Sequence, residues 1–351
     1  MGRRYRAGII GCSGIGLNRP EPSKLPYRSP RPHSHAAAYD AAPDVEVVAV
    51  CDVVPEATAR YRALWGDVAT YADAAEMFAR ERLDLVSIAT PDHLHADLFV
   101  SACAAGMSGI FCEKPLATTL ADADRMIAAA AQSGVKVVVN HTRRFDPFYR
   151  QAKWLLTEGE IGAIRCIVAT LGGPRAMLFR NGTHLIDMVS FFADAPPAWV
   201  AAEFDDADAA YGPIYRGGGG RDPGLDPGAN AYLRFTNGVR AFYSGMKGTA
   251  PAFELDVQGE RGRIRIGDQI AEVWTLMPNG GLSMQPLPQT IAMPAGMVTA
   301  VADLIRLVEI DGDGIRALRE ARTTLEILLG ILESASGGSQ KVDFPLAVLV
   351  G

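Results

Sequence analysis

Along the first 140 residues, apolar positions fall into two alternating textures. Short, mostly apolar runs at Arg6-Ala7-Gly8-Ile9-Ile10, Val45 to Cys51, Leu83 to Ala89, Gly109 to Cys112 and Val135 to Val139 read as buried strands. Between them, helical spacing covers about Glu56 to Trp65, His95 to Ala105 and Leu120 to Ser133, with a shorter helix expected from near Ser34 to Ala42. Strands that alternate with helices of this length predict a parallel sheet with right-handed crossovers, a doubly wound α/β domain over residues 1–139. Ligands of such a sheet sit at the carboxyl ends of its strands. Those ends supply Gly11, Asp52, Thr90-Pro91-Asp92, Glu113-Lys114-Pro115 and Asn140-His141, which should share one rim.

The texture changes after residue 140. Arg144-Phe145-Asp146-Pro147 opens a helix to about Gly159, and Ile164 to Leu171, Ala229 to Ser244, Phe253 to Ile266 and Ala271 to Met277 read as antiparallel strands, with Asn237-Gly238 as a hairpin turn. Residues 206–228, rich in Gly, Asp and Pro, are expected to form a long mobile connection. Two amphipathic helices, about Met297 to Glu309 and Gly314 to Ala335, complete a predicted α+β domain over residues 140–351.

The first strand runs into Gly11-Cys12-Ser13-Gly14-Ile15-Gly16, a variant of the glycine-rich turn that lets backbone N–H groups approach a pyrophosphate; Ser13 replaces the second glycine of the strict pattern. Asp52 ends the second strand, where a carboxylate accepts bonds from adenosine ribose hydroxyls and repels a 2′-phosphate, favouring NAD over NADP; an N-cap before Pro55 is its other reading. Residues 17–34 hold Pro20, Pro22, Pro26, Pro30 and Pro32 together with Arg19, Lys24, Arg28 and Arg31, so a continuous first helix is excluded there. This basic insertion reads as a lid or subunit contact near the cofactor phosphates, or as a solvated loop. His33 and His35 flank Ser34, but without a nearby acidic or cysteine partner they read as structural, and no metal site is expected.

A chain of 351 residues exceeds one ordinary core, in keeping with two domains. Its net charge of −6 gives no general attraction to nucleic acid or to an anionic membrane, so neither is expected as a partner. Five cysteines without a CxxC pair point to a reduced cytoplasmic setting. No apolar run is long enough to span a membrane, and Arg3-Arg4 precedes a strand rather than a signal segment, so the start is read as part of the fold.

The ordered set of GCSGIG, Asp52, Ala89-Thr90-Pro91-Asp92-His93-Leu94-His95, Glu113-Lys114-Pro115, Arg143-Arg144-Phe145, Gly159-Glu160-Ile161-Gly162 and Gly182-Thr183-His184-Leu185-Ile186-Asp187 resembles the glucose-fructose oxidoreductase/inositol dehydrogenase (Gfo/Idh/MocA) family over nearly the whole chain. The resemblance implies a Rossmann domain holding NAD through Gly11, Ser13, Gly14, Ile15, Gly16, Asp52, Thr90, Pro91, His95, Glu113 and Lys114. It also implies an α/β domain that contacts a sugar or polyol and forms a homo-oligomer, dimer or tetramer, through its sheet. Lys114 and His184 are the implied catalytic pair. Removing hydride from a secondary alcohol requires a base near neutrality and a cation beside the developing alkoxide, which an imidazole and an ammonium provide.

One position departs from the family. Four residues before His184, where relatives often carry aspartate, stands Arg180, which cannot act as a base and suits a carboxylate. An acidic sugar substrate with Arg180 and Arg144 as anion partners is one reading; an internal pair of Arg180 with Asp187, the further candidate for substrate contact, is the other. Beside the dehydrogenase, two functions stay open. One is an enzyme that retains NAD and uses transient oxidation for elimination or glycoside cleavage; the other is a non-catalytic NAD- or sugar-sensing regulator.

Overall fold

The computed structural model describes residues 4–19, 34–218, 222–268, 270–287, 296–310 and 312–347, which fall into two compact units. The proline-rich part of the insertion, with Lys24, Arg28, Arg31 and His33, lies outside the described residues.

In the first unit, β1 (Tyr5–Ile10), α1 (His35–Asp40), β2 (Val45–Cys51), α2 (Pro55–Trp65), β3 (Ala69–Tyr71), α3 (Ala74–Arg80), β4 (Leu85–Ile88), α4 (His95–Ala104), β5 (Gly109–Cys112), α5 (Leu120–Ser133) and β6 (Lys136–Val139) alternate, β3 and α3 being additions to the elements the pattern predicts. The six strands pair in the order β3-β2-β1-β4-β5-β6, every pair parallel, so their carboxyl ends form one edge. β4 and β5 are buried at every position, as befits central strands covered on both faces. Local chemistry sets the helix ends. Thr119 caps α5 by accepting from the N–H of Asp122, and Gly134 ends it at φ +74°. Ser34 caps α1 through the N–H of Ala37, and its hydroxyl donates to the carbonyl of Asn18, tying the two described ends of the insertion together.

The chain then forms α6 (Pro147–Thr157), β7 (Ile164–Gly172), α7 (Thr183–Ala193), β8 (Pro197–Phe204), β9 (Ala229–Phe235), β10 (Arg240–Met246), β11 (Ala252–Gly259), β12 (Gly262–Gly267), β13 (Ala271–Leu276) and β14 (Leu282–Pro286). After α8 (Met297–Ile310) come α9 (Arg316–Ser336) and β15 (Val342–Asp343). The second sheet is nine-stranded, ordered β14-β13-β12-β11-β7-β10-β9-β8-β15. It is antiparallel except where β7 and β10 run parallel. Strict alternation along β9 and β10 buries one face of the sheet, and α7, with Leu185, Met188, Val189 and Phe192 buried, packs on β7 and β11. On the other face Val168, Tyr232, Phe242 and Ser244 border a shallow depression of about 500 Å³.

Two expectations change. The division at residue 139 does not anticipate that the chain returns: the first unit groups Met1–Phe145 with Pro294–Glu320, because Met297, Ala300, Val301 and Leu304 of α8 pack into the same core as Tyr5, Phe111 and Val138. Gly109 permits the approach, since a Cβ there would lie 3.1 Å from Leu304. The described residues of the expected mobile connection at 206–228 are instead tied down at several points, 219–221 lying outside the described residues. Tyr215 stacks on Phe179 with centroids 3.6 Å apart, Lys247 bridges to Asp208 at 2.9 Å, and Asp226 is fully buried.

Candidate functional site

The carboxyl edge of the first sheet carries the glycine turn. Gly11 sits at φ +95°, and a Cβ there would lie 2.6 Å from the carbonyl oxygen of Ala89, so only glycine fits between β1 and β4. A Cβ on Gly16 would lie 1.9 Å from the Gly11 carbonyl oxygen; the turn is folded tightly on itself. Its crown of Ser13, Gly14 and Ile15 is exposed, and a Cβ on Gly14 would meet nothing within 4 Å. The turn leads into a short 3-10 turn, Gly14–Gly16, rather than directly into a helix.

Asp52 does not cap α2, whose N-cap position is Val54. Its carboxylate accepts from the N–H of Cys12 at 2.7 Å and from that of Val54 at 2.9 Å, locking the tip of β2 to the glycine turn. Burial, then the charge of Asp52, pushes the Cys12 thiol up to about 12, so this cysteine packs as a neutral group. Thr90, at the end of β4, has a buried hydroxyl with no hydrogen-bond partner among the described residues, an orphan that a ligand at this edge would satisfy. Pro91 follows it and opens the 3-10 turn Asp92–Leu94. His95 is buried between two loops, Nε2 lying 3.0 Å from the Thr90 carbonyl oxygen and Nδ1 3.0 Å from that of Pro115. It staples the walls together rather than lining a surface.

Glu113 is buried as well. Its Oε1 accepts from His35 Nε2 at 3.1 Å and from Asn140 Nδ2, and its Oε2 from the Lys114 N–H at 3.3 Å. Burial pushes its carboxyl up, but the hydrogen bond and charge of His35, the charge of Lys114 and the bond from Asn140 outweigh it and hold it at about 2. Glu113 therefore acts as an ionised anchor under the turn, while Lys114 is part-exposed at the edge, before a cis peptide to Pro115. Arg144, a candidate anion partner, forms an ion pair with Glu320 at 2.7 Å.

In the second unit, a single π-helical turn, Leu178–Gly182, leads into α7 and places Arg180 and His184 on either side of Gly182, both part-exposed. Asp226 holds this turn by accepting from the N–H groups of Phe179 and Arg180 at 2.9 and 2.8 Å. A Cβ on Gly182 would lie 2.6 Å from Tyr243 Oη, which fixes how closely the turn sits on β10. Asp187 is fully buried and accepts from Thr324 Oγ1 at 3.0 Å, joining α7 to α9. Burial and the like charge of Arg180 hold Arg175 below the usual guanidinium range, so two positive groups stand near one another at this turn.

Sequence reasoning named Gly11, Asp52, Thr90, Pro91, His95, Glu113 and Lys114, and the structure gathers all of these on one edge. It read His35 as structural and Asn140 as part of the rim, but gave His35 no acidic partner, whereas Glu113 lies 3.1 Å from it; it missed Ser87 behind His35 and Asp226 beneath Arg180. Buried polar residues at element ends were their only signal. Among the described residues no group of three or more His, Cys, Asp or Glu side chains is arranged to hold a metal, and no helix is long and apolar enough to cross a membrane.

Residues 5–141 match the family described as oxidoreductase family, NAD-binding Rossmann fold, and residues 149–265 match the GFO/IDH/MocA C-terminal domain. The D-apiose dehydrogenase of Paraburkholderia graminis is 33% identical over 204 residues, 54% of this chain and 50% of that protein, so the chain spans about half of that relative's length. The inositol 2-dehydrogenase of Rhizobium meliloti is 27% identical over 299 residues, 80% of this chain and 81% of the relative. Among solved structures, an oxidoreductase domain protein from Kribbella flavida superposes with a TM-score of 0.80 at 20% identity, covering 99% of this chain and 100% of that one. The WlbA dehydrogenase of Bordetella pertussis, solved with NADH and UDP-GlcNAcA, superposes with a TM-score of 0.75 at 20% identity over 98% of this chain and 100% of that one. At such identities these two structures establish likeness of fold.

Proposed function

This chain belongs to the Gfo/Idh/MocA family of oxidoreductases, with an NAD-binding Rossmann domain as its first part, and from that premise we propose that it moves hydride between NAD and a secondary hydroxyl of a sugar, polyol or sugar acid. The observation that carries the reading is the single sheet edge on which the glycine turn, Asp52, Thr90 and Lys114 lie together.

The residues fit the cofactor. Gly11, Ser13, Gly14, Ile15 and Gly16 would hold its phosphates against the exposed crown of the turn, and Asp52, with two oxygens already oriented, would take the adenosine ribose hydroxyls and disfavour a 2′-phosphate. Thr90 and Pro91 would line its path, with the Thr90 hydroxyl gaining a partner. Bound NAD supplies the acceptor of the hydride. Lys114 offers an ammonium to the substrate oxygen and steadies the charge that grows there as the C–H bond breaks. The His184 imidazole takes the hydroxyl proton through a ring nitrogen, and returns it when the reaction runs toward reduction.

The names of the relatives, dehydrogenases of apiose and of inositol, support a polyhydroxylated substrate. Arg180, with Arg175 nearby, supports one that also carries a carboxylate. The open face of the nine-stranded sheet supports a homo-oligomer, dimer or tetramer, since Val168, Phe242 and Met246 are exposed on strands at its centre.

The test is a screen of the purified chain for NADH formation from NAD across inositols, aldoses and uronic acids. Reduction with at least one class is expected, uronic acids showing the lowest KM. A complete lack of NADH formation in all three classes would remove the dehydrogenase reading.

A further inference from the structure

Beneath the turn that presents Lys114 runs a line of polar side chains that solvent does not reach. His35, fully buried on α1, has Nε2 3.1 Å from Glu113 Oε1 and Nδ1 2.8 Å from Ser87 Oγ. Ser87, fully buried on β4, lies 2.8 Å from the hydroxyl of Tyr39, which is itself enclosed on α1. Asn140, at the end of β6, donates to the same Glu113 oxygen as His35. The His35 ring also packs at 4.4 Å between centroids against Phe111, the residue two before Glu113.

Burying a carboxylate costs several kcal/mol unless every oxygen is engaged, so a lone buried Glu at a strand end needs a reason. Here α1 and the end of β6 send groups to one carboxylate at the end of β5, Ser87 on β4 backs His35 from behind, and the second carboxylate oxygen receives the Lys114 N–H at 3.3 Å. With both oxygens engaged, the carboxylate cannot rotate about its last torsion without breaking a buried bond. The backbone from which the lysine side chain springs is thereby fixed from below.

We propose that His35 is a positioning residue for Lys114: acting only through Glu113, it holds the strand-end backbone at the place from which the ammonium meets the substrate oxygen. This rests on the reading of Lys114 as the group that handles the hydroxyl. His35 is fully buried and bonds Glu113 and Ser87, so its loss should displace the lysine while the glycine turn and Asp52 keep their own bonds. A displacement of about 1 Å lowers turnover by as much as ~100-fold.

The experiment compares His35→Ala, His35→Gln and Ser87→Ala in the full chain, using a substrate found in the NADH screen. We expect H35A to lower kcat by about ten- to a hundredfold while the dissociation constant for NAD, read by fluorescence titration, stays within about twofold. H35Q, whose side-chain amide can still donate to Glu113, should recover most of the loss. A folded H35A with wild-type kcat overturns the proposal, as does a loss of kcat accompanied by an equal loss of NAD affinity that H35Q does not restore. Should H35A fail to fold, S87A decides, since it releases Nδ1 of His35 together with the Tyr39 hydroxyl and leaves the Glu113 carboxylate's own partners in place: lowered kcat at unchanged NAD affinity supports the role, and wild-type kcat removes it. Wild-type protein inactive in the screen would take down the functional reading first, an outcome separate from an active wild type with indifferent variants.

Discussion

Glu113 carries a full charge where burial alone would neutralise it, and that charge has a stability consequence. Its folded pKa, about 2, lies below the ordinary 4.5, so its contribution is complete above about pH 4.5 and is lost as pH falls toward 2. A shift of that size corresponds to roughly 3 kcal/mol. The difference in unfolding free energy between the wild type and Glu113→Gln, measured by urea denaturation, should therefore be largest above pH 4.5 and shrink steadily on acidification. A difference that does not vary across that window would show that the ionised Glu113 carboxylate contributes nothing. At this scale the sequence named the right residues but not always their work. Asp52 at a strand tip was legible, because strand and turn both announce themselves locally. His95 and Glu113 were read as lining the cofactor site, whereas the structure buries both, since side-chain direction at a loop depends on partners distant in sequence.

At the scale of elements, α7 and the π-helical turn before it show how a functional loop is held. The turn leaves N–H groups unbonded at its start, and Asp226 accepts two of them from a distant loop. Replacing Asp226 with Ala should cost about 1–3 kcal/mol, because the Phe179 N–H is left buried without an acceptor. Thermal unfolding should report this, and a melting temperature equal to wild type would show that the loop does not support the turn. Elements with caps and unbroken periodicity were read to the residue: α5 lies between Thr119 and Gly134, and β5 between a glycine and a charged stop. β3, three residues long, gives periodicity nothing to detect. β14 (Leu-Ser-Met-Gln-Pro) is an edge strand exposed along most of its length and lacks an apolar face, and β8 is announced by Pro197 as much as by its valine and alanines. Their existence is decided by pairing, which sequence spacing does not encode.

At the scale of the whole molecule, the open face of the second sheet presents Phe242 at 45% exposure, stacked on Tyr232, with Val168 at 38% and Met246 at 36%. Exposed apolar surface on central strands invites a second copy. If this face joins two copies as proposed, Phe242→Glu combined with Val168→Glu should yield monomer, measured by light scattering after size exclusion; a mass unchanged from wild type, or a wild type already monomeric, would refute that use of the face. The return of α8 has an effect of another kind. Because Leu304 and its neighbours complete the core that Tyr5 begins, an amino-terminal fragment stopped at residue 145 would lack one wall of its hydrophobic interior. During synthesis the nucleotide half therefore keeps one apolar side uncovered until α8, about 150 residues further along the chain, has been made.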